Sequence, residues 1–200
     1  MIAVVDFGAG NTRSVLRALE AVDADARLVA DPTGLDGADR VVLPGVGAAG
    51  SAMRALQRQG MTDALRAWAA AGRPFLGVCL GAQLLLEGSD EDDAPGLGLL
   101  AGRCRAFPAQ DAGGPSLVPH IGWNSVELRG GGSLEAYFVH GYWIDPADEG
   151  VVAGTTEVDG FRFPSVLRAG SISGVQFHPE KSGPGGRALL AAFARGALDG

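Results

Sequence analysis

Lysine is almost missing from this chain: fifteen of its sixteen basic residues are arginine, and the only lysine is Lys181. Cysteine is nearly as scarce. Cys79 and Cys104 are the two in 200 residues, too few for a disulfide framework, so both are expected as thiols in a reducing compartment. Basic side chains are outnumbered twenty-three to sixteen by acidic ones, for a net charge of −7 and a pI near 4.9. That leaves no broad basic face to neutralise phosphates and argues against a nucleic acid partner. No apolar run approaches the roughly 18 to 20 residues of a membrane span. The start, Met1-Ile2-Ala3-Val4-Val5-Asp6, lacks the basic flank and long apolar stretch of a signal peptide. The expectation is a cytoplasmic protein with no membrane segment. What the chain does have is 46% hydrophobic residues and a mean hydropathy of +0.15, enough for a single domain, residues 1–200, with a buried core.

The first half alternates short apolar runs with helical periodicity. Ile2 to Asp6 reads as a strand, and Val15, Leu16, Leu19 and Val22 then recur at helical spacing from Thr12 to Val22. Ala26 to Ala30 and Arg40 to Leu43 read as further strands. Helices are expected at Ala48 to Gln59 and Met61 to Ala71, a strand at Pro74 to Val78, and a helix from Leu80 to Glu87. Such alternation implies an α/β fold with a parallel sheet covered on both faces, in which ligands bind beyond the carboxyl ends of the strands. The second half is β-rich, with candidate strands in Leu117 to Leu128, Ala136 to Ile144, Val151 to Val158 and Ser165 to Phe177. These read as hairpins appended to the same sheet, closed by a helix from about Gly185 to Ala197. The acidic stretch Ser89 to Asp93 reads as a solvated loop.

The chemistry concentrates at a few of the strand ends. Gly77-Val78-Cys79-Leu80-Gly81 has the G-x-nucleophile-x-G spacing of an elbow, where a strained strand-to-helix turn lifts a nucleophile out of the sheet edge. A cysteine at a helix N-terminus is also favoured as thiolate. Such a nucleophile needs a base and a group to orient it. Of the three histidines, His178 stands two residues before Glu180 at the end of a β run, so base and orienter can face the same side. Read without Cys79, the same pair would be a strand-end histidine beside a solvated carboxylate. Pro44-Gly45-Val46-Gly47 offers backbone amides at Val46 and Gly47 which, with the Leu80 amide, can stabilise an oxyanion. Gly45 and Gly47 would let the Val46 peptide take either of two orientations. As an isolated turn, the same loop could equally form a phosphate nest. His120 and His140 read as structural or interfacial, and Cys104 as a small core residue.

Taken together, Gly77 to Gln83 and His178-Pro179-Glu180 resemble the class I (triad) glutamine amidotransferases. More narrowly, Pro44 to Gly47, Val118 to Asn124, Tyr137 to Tyr142 and Gln176 to Ser182 resemble the glutaminase subunits of imidazole glycerol phosphate synthases. The resemblance covers nearly the whole chain. It implies a three-layer, flavodoxin-like domain with a central mixed, mostly parallel sheet. It also implies hydrolysis of glutamine to glutamate and ammonia by Cys79, His178 and Glu180, without metal or organic cofactor. Gln83, Glu91, Gly141 and Tyr142 fall where the family grips glutamine. The family usually carries Ser or Thr at the position of Gly141, where only a backbone contact is available here. Asn11, Trp123, Tyr137 and Lys181 fall on segments that face a synthase (cyclase) subunit, a (β/α)8 barrel, in a heterodimer that uses the ammonia to close an imidazole ring in histidine biosynthesis.

Two other readings stay open on sequence. One is a glutaminase serving another synthase, such as those of anthranilate or GMP, although those families usually have a different oxyanion loop and lack the Trp123 and Lys181 contexts. The other is a non-catalytic subunit that keeps the fold, against which the intact Cys79, His178 and Glu180 argue.

Overall fold

Branched apolar residues in four short runs make strands whose alternate side chains bury on opposite faces. In the computed structural model, which describes residues 1–8 and 11–198, these are β1 (Ile2–Val5), β2 (Ala26–Val29), β3 (Arg40–Gly45) and β4 (Phe75–Cys79). They lie parallel in the order β2-β1-β3-β4. Ala3, Val5, Val41, Leu43 and Phe75 pack toward α2 (Ala49–Arg58) and α3 (Met61–Ala70), against Met53, Leu56, Leu65 and Trp68. Their neighbours Ile2, Val4, Val42, Leu76 and Val78 pack the other way, toward α1 (Thr12–Glu20) and α5 (Gly183–Ala194). The result is a sheet between two helical layers, as a parallel sheet apolar on both faces requires.

The expected helix from Leu80 to Glu87 is a single turn, α4 (Leu80–Gln83). The carbonyls of Leu84, Leu85 and Leu86 instead accept from the backbone N–H groups of Leu97, Leu99 and Gly98. The helical ladder ends because the Leu85 and Leu86 N–H groups donate to carbonyls only three residues back, Ala82 and Gln83, and the Glu87 N–H donates to the Gly102 carbonyl.

The β-rich half is appended to the same sheet largely as hairpins, as expected, with two strands departing from that pattern. β7 (His120–Leu128), β8 (Ser133–His140), β10 (Val152–Val158) and β11 (Phe161–Ala169) extend the main sheet antiparallel. β12 (Ile172–Val175) returns to the middle and lies parallel to β4. The full order is β2-β1-β3-β4-β12-β11-β10-β7-β8. β9 (Tyr142–Pro146) leaves that sheet after Gly141 and joins β5 (Gly88–Ser89) and β6 (Gly102–Ala106) in a separate three-stranded one. The Ser89 to Asp93 stretch is tied down rather than simply solvated. Ser89 is buried in β5, and Arg103 bridges Asp93 at 2.8 Å and Asp90 at 3.5 Å. Among the described residues, no helix is long and apolar enough to cross a membrane.

Candidate active site

Cys79 ends β4 with φ 53° and ψ −109°, a left-handed backbone that a non-glycine residue adopts only under strain of about 1–3 kcal/mol. The surrounding glycines make that turn possible by close approach. A Cβ on Gly77 would lie 2.7 Å from the Gly81 carbonyl oxygen, and one on Gly81 would collide with the Leu43 carbonyl of the neighbouring strand. This is the elbow anticipated from the spacing.

β12 delivers the base. Its register against β4 pairs Val175 with Val78, so the residues that follow both strands emerge side by side. Gln176 lies beside Cys79 with its Nε2 3.9 Å from Sγ, and His178 follows at the turn into a short 3-10 segment, Pro179–Lys181. His178 is fully buried. Its N–H bonds the Tyr137 carbonyl at 2.9 Å, and its carbonyl accepts the Ser182 hydroxyl at 2.6 Å. Its Nδ1 lies 2.8 Å from Glu180 Oε1, whereas its Nε2 has no hydrogen-bond partner. Burial alone would lower the His178 pKa; the adjoining Cys79 sulfur and Glu180 carboxylate outweigh it and raise the pKa to about 9. At neutral pH the imidazole therefore holds its proton, with one nitrogen on Glu180 and the other unbonded.

Asn11, expected on a segment facing the partner, is 6% exposed, and its Nδ2 donates to Glu180 Oε1 at 3.2 Å. Its short polar side chain reaches the same carboxylate oxygen that holds His178, so it orients the orienter. Trp123, Tyr137 and Lys181 do gather at the surface. The rings of Trp123 and Tyr137 meet edge to face at 6.1 Å, and Lys181 Nζ lies 5.6 Å from the Tyr137 centroid. Trp123 is 57% exposed, and on the same strand or just before it Leu117, Val118 and Ile121 are exposed too.

A pocket of about 380 Å³ opens over the sulfur, lined by Val46, Gly47, Cys79, Leu80, Gln83, Glu91, Pro119, Val139, His140, Gly141 and Tyr142. It holds every residue expected at the oxyanion and substrate positions. Glu91 Oε2 accepts the Ala49 N–H at 2.8 Å, capping α2, whose N-cap Ala48 has no side-chain acceptor. That bond ties the rim of the pocket to the Val46–Gly47 loop. The loop is free on one side only. Gly47 has φ +99° and open space around its Cα, whereas Gly45 is paired with Cys79 in the sheet and crowded by Leu80 and Phe7. Gln83 Nε2 donates to the Tyr142 carbonyl at 3.1 Å and to Gln176 Oε1 at 3.4 Å.

Gln176 lies in the Gln176 to Ser182 segment, and nothing in the sequence assigns it a role of its own. Its sole sequence signal is its place two residues before His178 on an alternating strand. His140 also lines the pocket, despite its expected structural role. Cys104 is fully buried in β6, where burial pushes its thiol pKa up, as suits a core residue.

Comparison with known proteins shows the family to which this chain belongs. The family model of class-I glutamine amidotransferases matches residues 3–197. The chain is 45% identical over 201 residues to the imidazole glycerol phosphate synthase subunit HisH of Streptococcus sanguinis, covering 96% of this chain and 95% of that protein. It is 44% identical over 206 residues to the same subunit of Nitratidesulfovibrio vulgaris, covering 98% and 96%. Among solved structures, one titled as a glutamine amidotransferase has a TM-score of 0.78 at 22% identity, covering 97% of this chain and 98% of that one. PurLQS from Thermotoga maritima has a TM-score of 0.75 at 19% identity, covering 99% and 98%.

Proposed function

Because the chain belongs to the class-I glutamine amidotransferase family, we propose that it is the glutaminase subunit of an imidazole glycerol phosphate synthase, hydrolysing glutamine with Cys79, His178 and Glu180. The observation that carries the catalytic part is the buried His178, bonded to Glu180 on one nitrogen and unbonded on the other, beside a strained cysteine at the floor of a pocket.

Cys79 Sγ attacks the side-chain carbonyl carbon of glutamine. The C–N bond breaks as imidazolium His178 passes its proton to the departing ammonia, leaving a thioester. Neutral His178 then takes a proton from water, hydroxide attacks the thioester, and glutamate leaves as the sulfur regains its electron pair. Glu180, held by Asn11, keeps the imidazole in orientation through both steps. The amides of Leu80 and of the Val46–Gly47 loop serve the oxyanion, worth about 10²–10³ in rate per donor. Gln83 has both Nε2 hydrogens engaged within the protein, so it presents its carbonyl oxygen to the substrate; Glu91 retains one carboxylate oxygen for the same purpose.

The ammonia passes to a synthase subunit, which we take to be a (β/α)8 barrel seated on the Trp123, Tyr137 and Lys181 face. The exposed Leu117, Val118 and Ile121 support that placement, since contiguous apolar surface marks an interaction site. The reaction needs neither metal nor organic cofactor, and we assign the enzyme to the cytoplasm. The test is glutamate release by the complex with its synthase subunit. Cys79→Ala should abolish it while the complex still uses added ammonium salt. Glutamate release at the wild-type rate would overturn the assignment.

A further inference from the structure

Two histidines outside the triad form a bridge across the sheet into the pocket wall. On β7, His120, Gly122 and Asn124 share one face, opposite the exposed Ile121 and Trp123. His120 is paired in register with His140 on β8. His120 Nδ1 lies 3.1 Å from His140 Nε2, and His140 Nδ1 lies 2.7 Å from the Tyr142 carbonyl oxygen. At the far end, Asn124 Nδ2 is 3.3 Å from His120 Nε2 and 2.9 Å from the Glu157 carbonyl, while its Oδ1 accepts the Ser125 N–H at 2.8 Å.

These contacts admit one proton arrangement when both rings are neutral. A carbonyl oxygen can only accept, so His140 Nδ1 carries the hydrogen and its Nε2 is bare. His120 must then donate from Nδ1, which leaves its own Nε2 bare to accept from Asn124. The Asn124 amide cannot be reversed without losing both its carbonyl and its N–H partners. Burial lowers the pKa of both rings, that of His140 to about 3, so the neutral forms are the ones present at neutral pH.

We infer that His120 and His140 are positioning residues for glutamine binding, locked as Nδ1–H tautomers that fix the Gly141–Tyr142 backbone in the pocket wall. Gly141 brings no side chain to that wall, and nothing lies within 4 Å of where its Cβ would be, so the wall acts there through its backbone. The Tyr142 carbonyl is held from two sides, by His140 Nδ1 at 2.7 Å and Gln83 Nε2 at 3.1 Å. From Gln83 the chain of polar contacts continues through Gln176 to the Cys79 sulfur. The tautomer assignment stands on the hydrogen-bond geometry and on the burial that keeps both rings neutral, whereas the binding role rests on reading this pocket as the glutamine site.

The two halves are tested separately. Nitrogen-15 correlation spectra of the full-length wild-type chain at neutral pH should show both rings neutral and protonated on Nδ1, the minor form of free histidine in water. An Nε2–H tautomer or a charged ring at His140 would overturn the proposal whatever the protein's activity. In the complex with the synthase subunit, His140→Leu should raise the KM for glutamine about tenfold, the loss of one hydrogen bond to the wall, with kcat changed far less. His140→Asn, which keeps a donor near the Nδ1 position, should restore most of the lost affinity. Thermal melts identify a variant that fails to fold. Equal KM values for the folded Leu and Asn variants, or a fall confined to kcat, would overturn the positioning role. If the wild-type complex released no glutamate, the functional reading would fail and the spectra would still decide the tautomers.

Discussion

His178, at the corner beyond β12, and His140, on β8, are both buried within reach of one pocket, yet their surroundings drive them in opposite directions. His178 meets Glu180 and the Cys79 sulfur and is raised to about 9 in spite of burial. His140 meets a second imidazole and a backbone carbonyl and is lowered to about 3 by burial. Burial therefore does not set the charge of an imidazole; whether a negative group shares the buried space does. One region is built to move a proton, the other to hold one still.

Breaking the charged region has the largest expected effect. Cys79→Ala should reduce glutamine hydrolysis by about 10⁴-fold or more. It should also lower the His178 pKa from about 9, because one of the groups raising it is gone. An NMR titration that left His178 unmoved would show that the sulfur is not its partner. His178→Asn should be nearly as damaging in steady-state kinetics. Glu180→Gln should be about 10²-fold less so, since packing can partly replace an orienter but not a proton carrier.

The contrast also predicts opposite pH dependences of stability. A raised pKa means that His178 contributes stability fully below about pH 6.5, lost as pH rises through about 9. A depressed pKa means that His140 folds at no penalty above about pH 6.5 and destabilises as pH falls toward 3. His120 adds to the acid loss. It is itself opposed by Asp159, which favours the charged form, while His120 and His178 both disfavour charge on His140. At pH 5 the His140 contribution is about 2 kcal/mol. Denaturant melts should show His140→Asn flattening the slope between pH 6.5 and 5 by about that amount. An unchanged slope would mean that the ring is not held neutral. The smallest effect is expected from Asn11→Ala, which removes one hydrogen bond to Glu180 and should slow hydrolysis about tenfold without weakening assembly with the synthase subunit. Weaker assembly at an unchanged rate would return Asn11 to the partner face.

The chain by itself determined the elbow, because the close approaches at Gly77 and Gly81 are local and leave a spacing anyone can read. It determined the pairing of His178 with Glu180 for the same reason, since two residues apart on extended backbone means one side. The alternation of the first four strands, apolar on both faces, determined the covered parallel sheet. Only the tertiary structure decided what meets these groups. β12 had to return to the centre of the sheet, in register with β4, before His178 could reach Cys79 across ninety-eight intervening positions. It decided that Asn11 supports Glu180, that the Glu87 N–H bonds Gly102 on β6 so that α4 ends after one turn, and that Gln176 faces the sulfur. It also decided the charge of each histidine. A pKa depends on the groups that share a buried volume, and those come from strands far apart in sequence, so no local pattern could distinguish the imidazole that carries a proton from the one that holds its own.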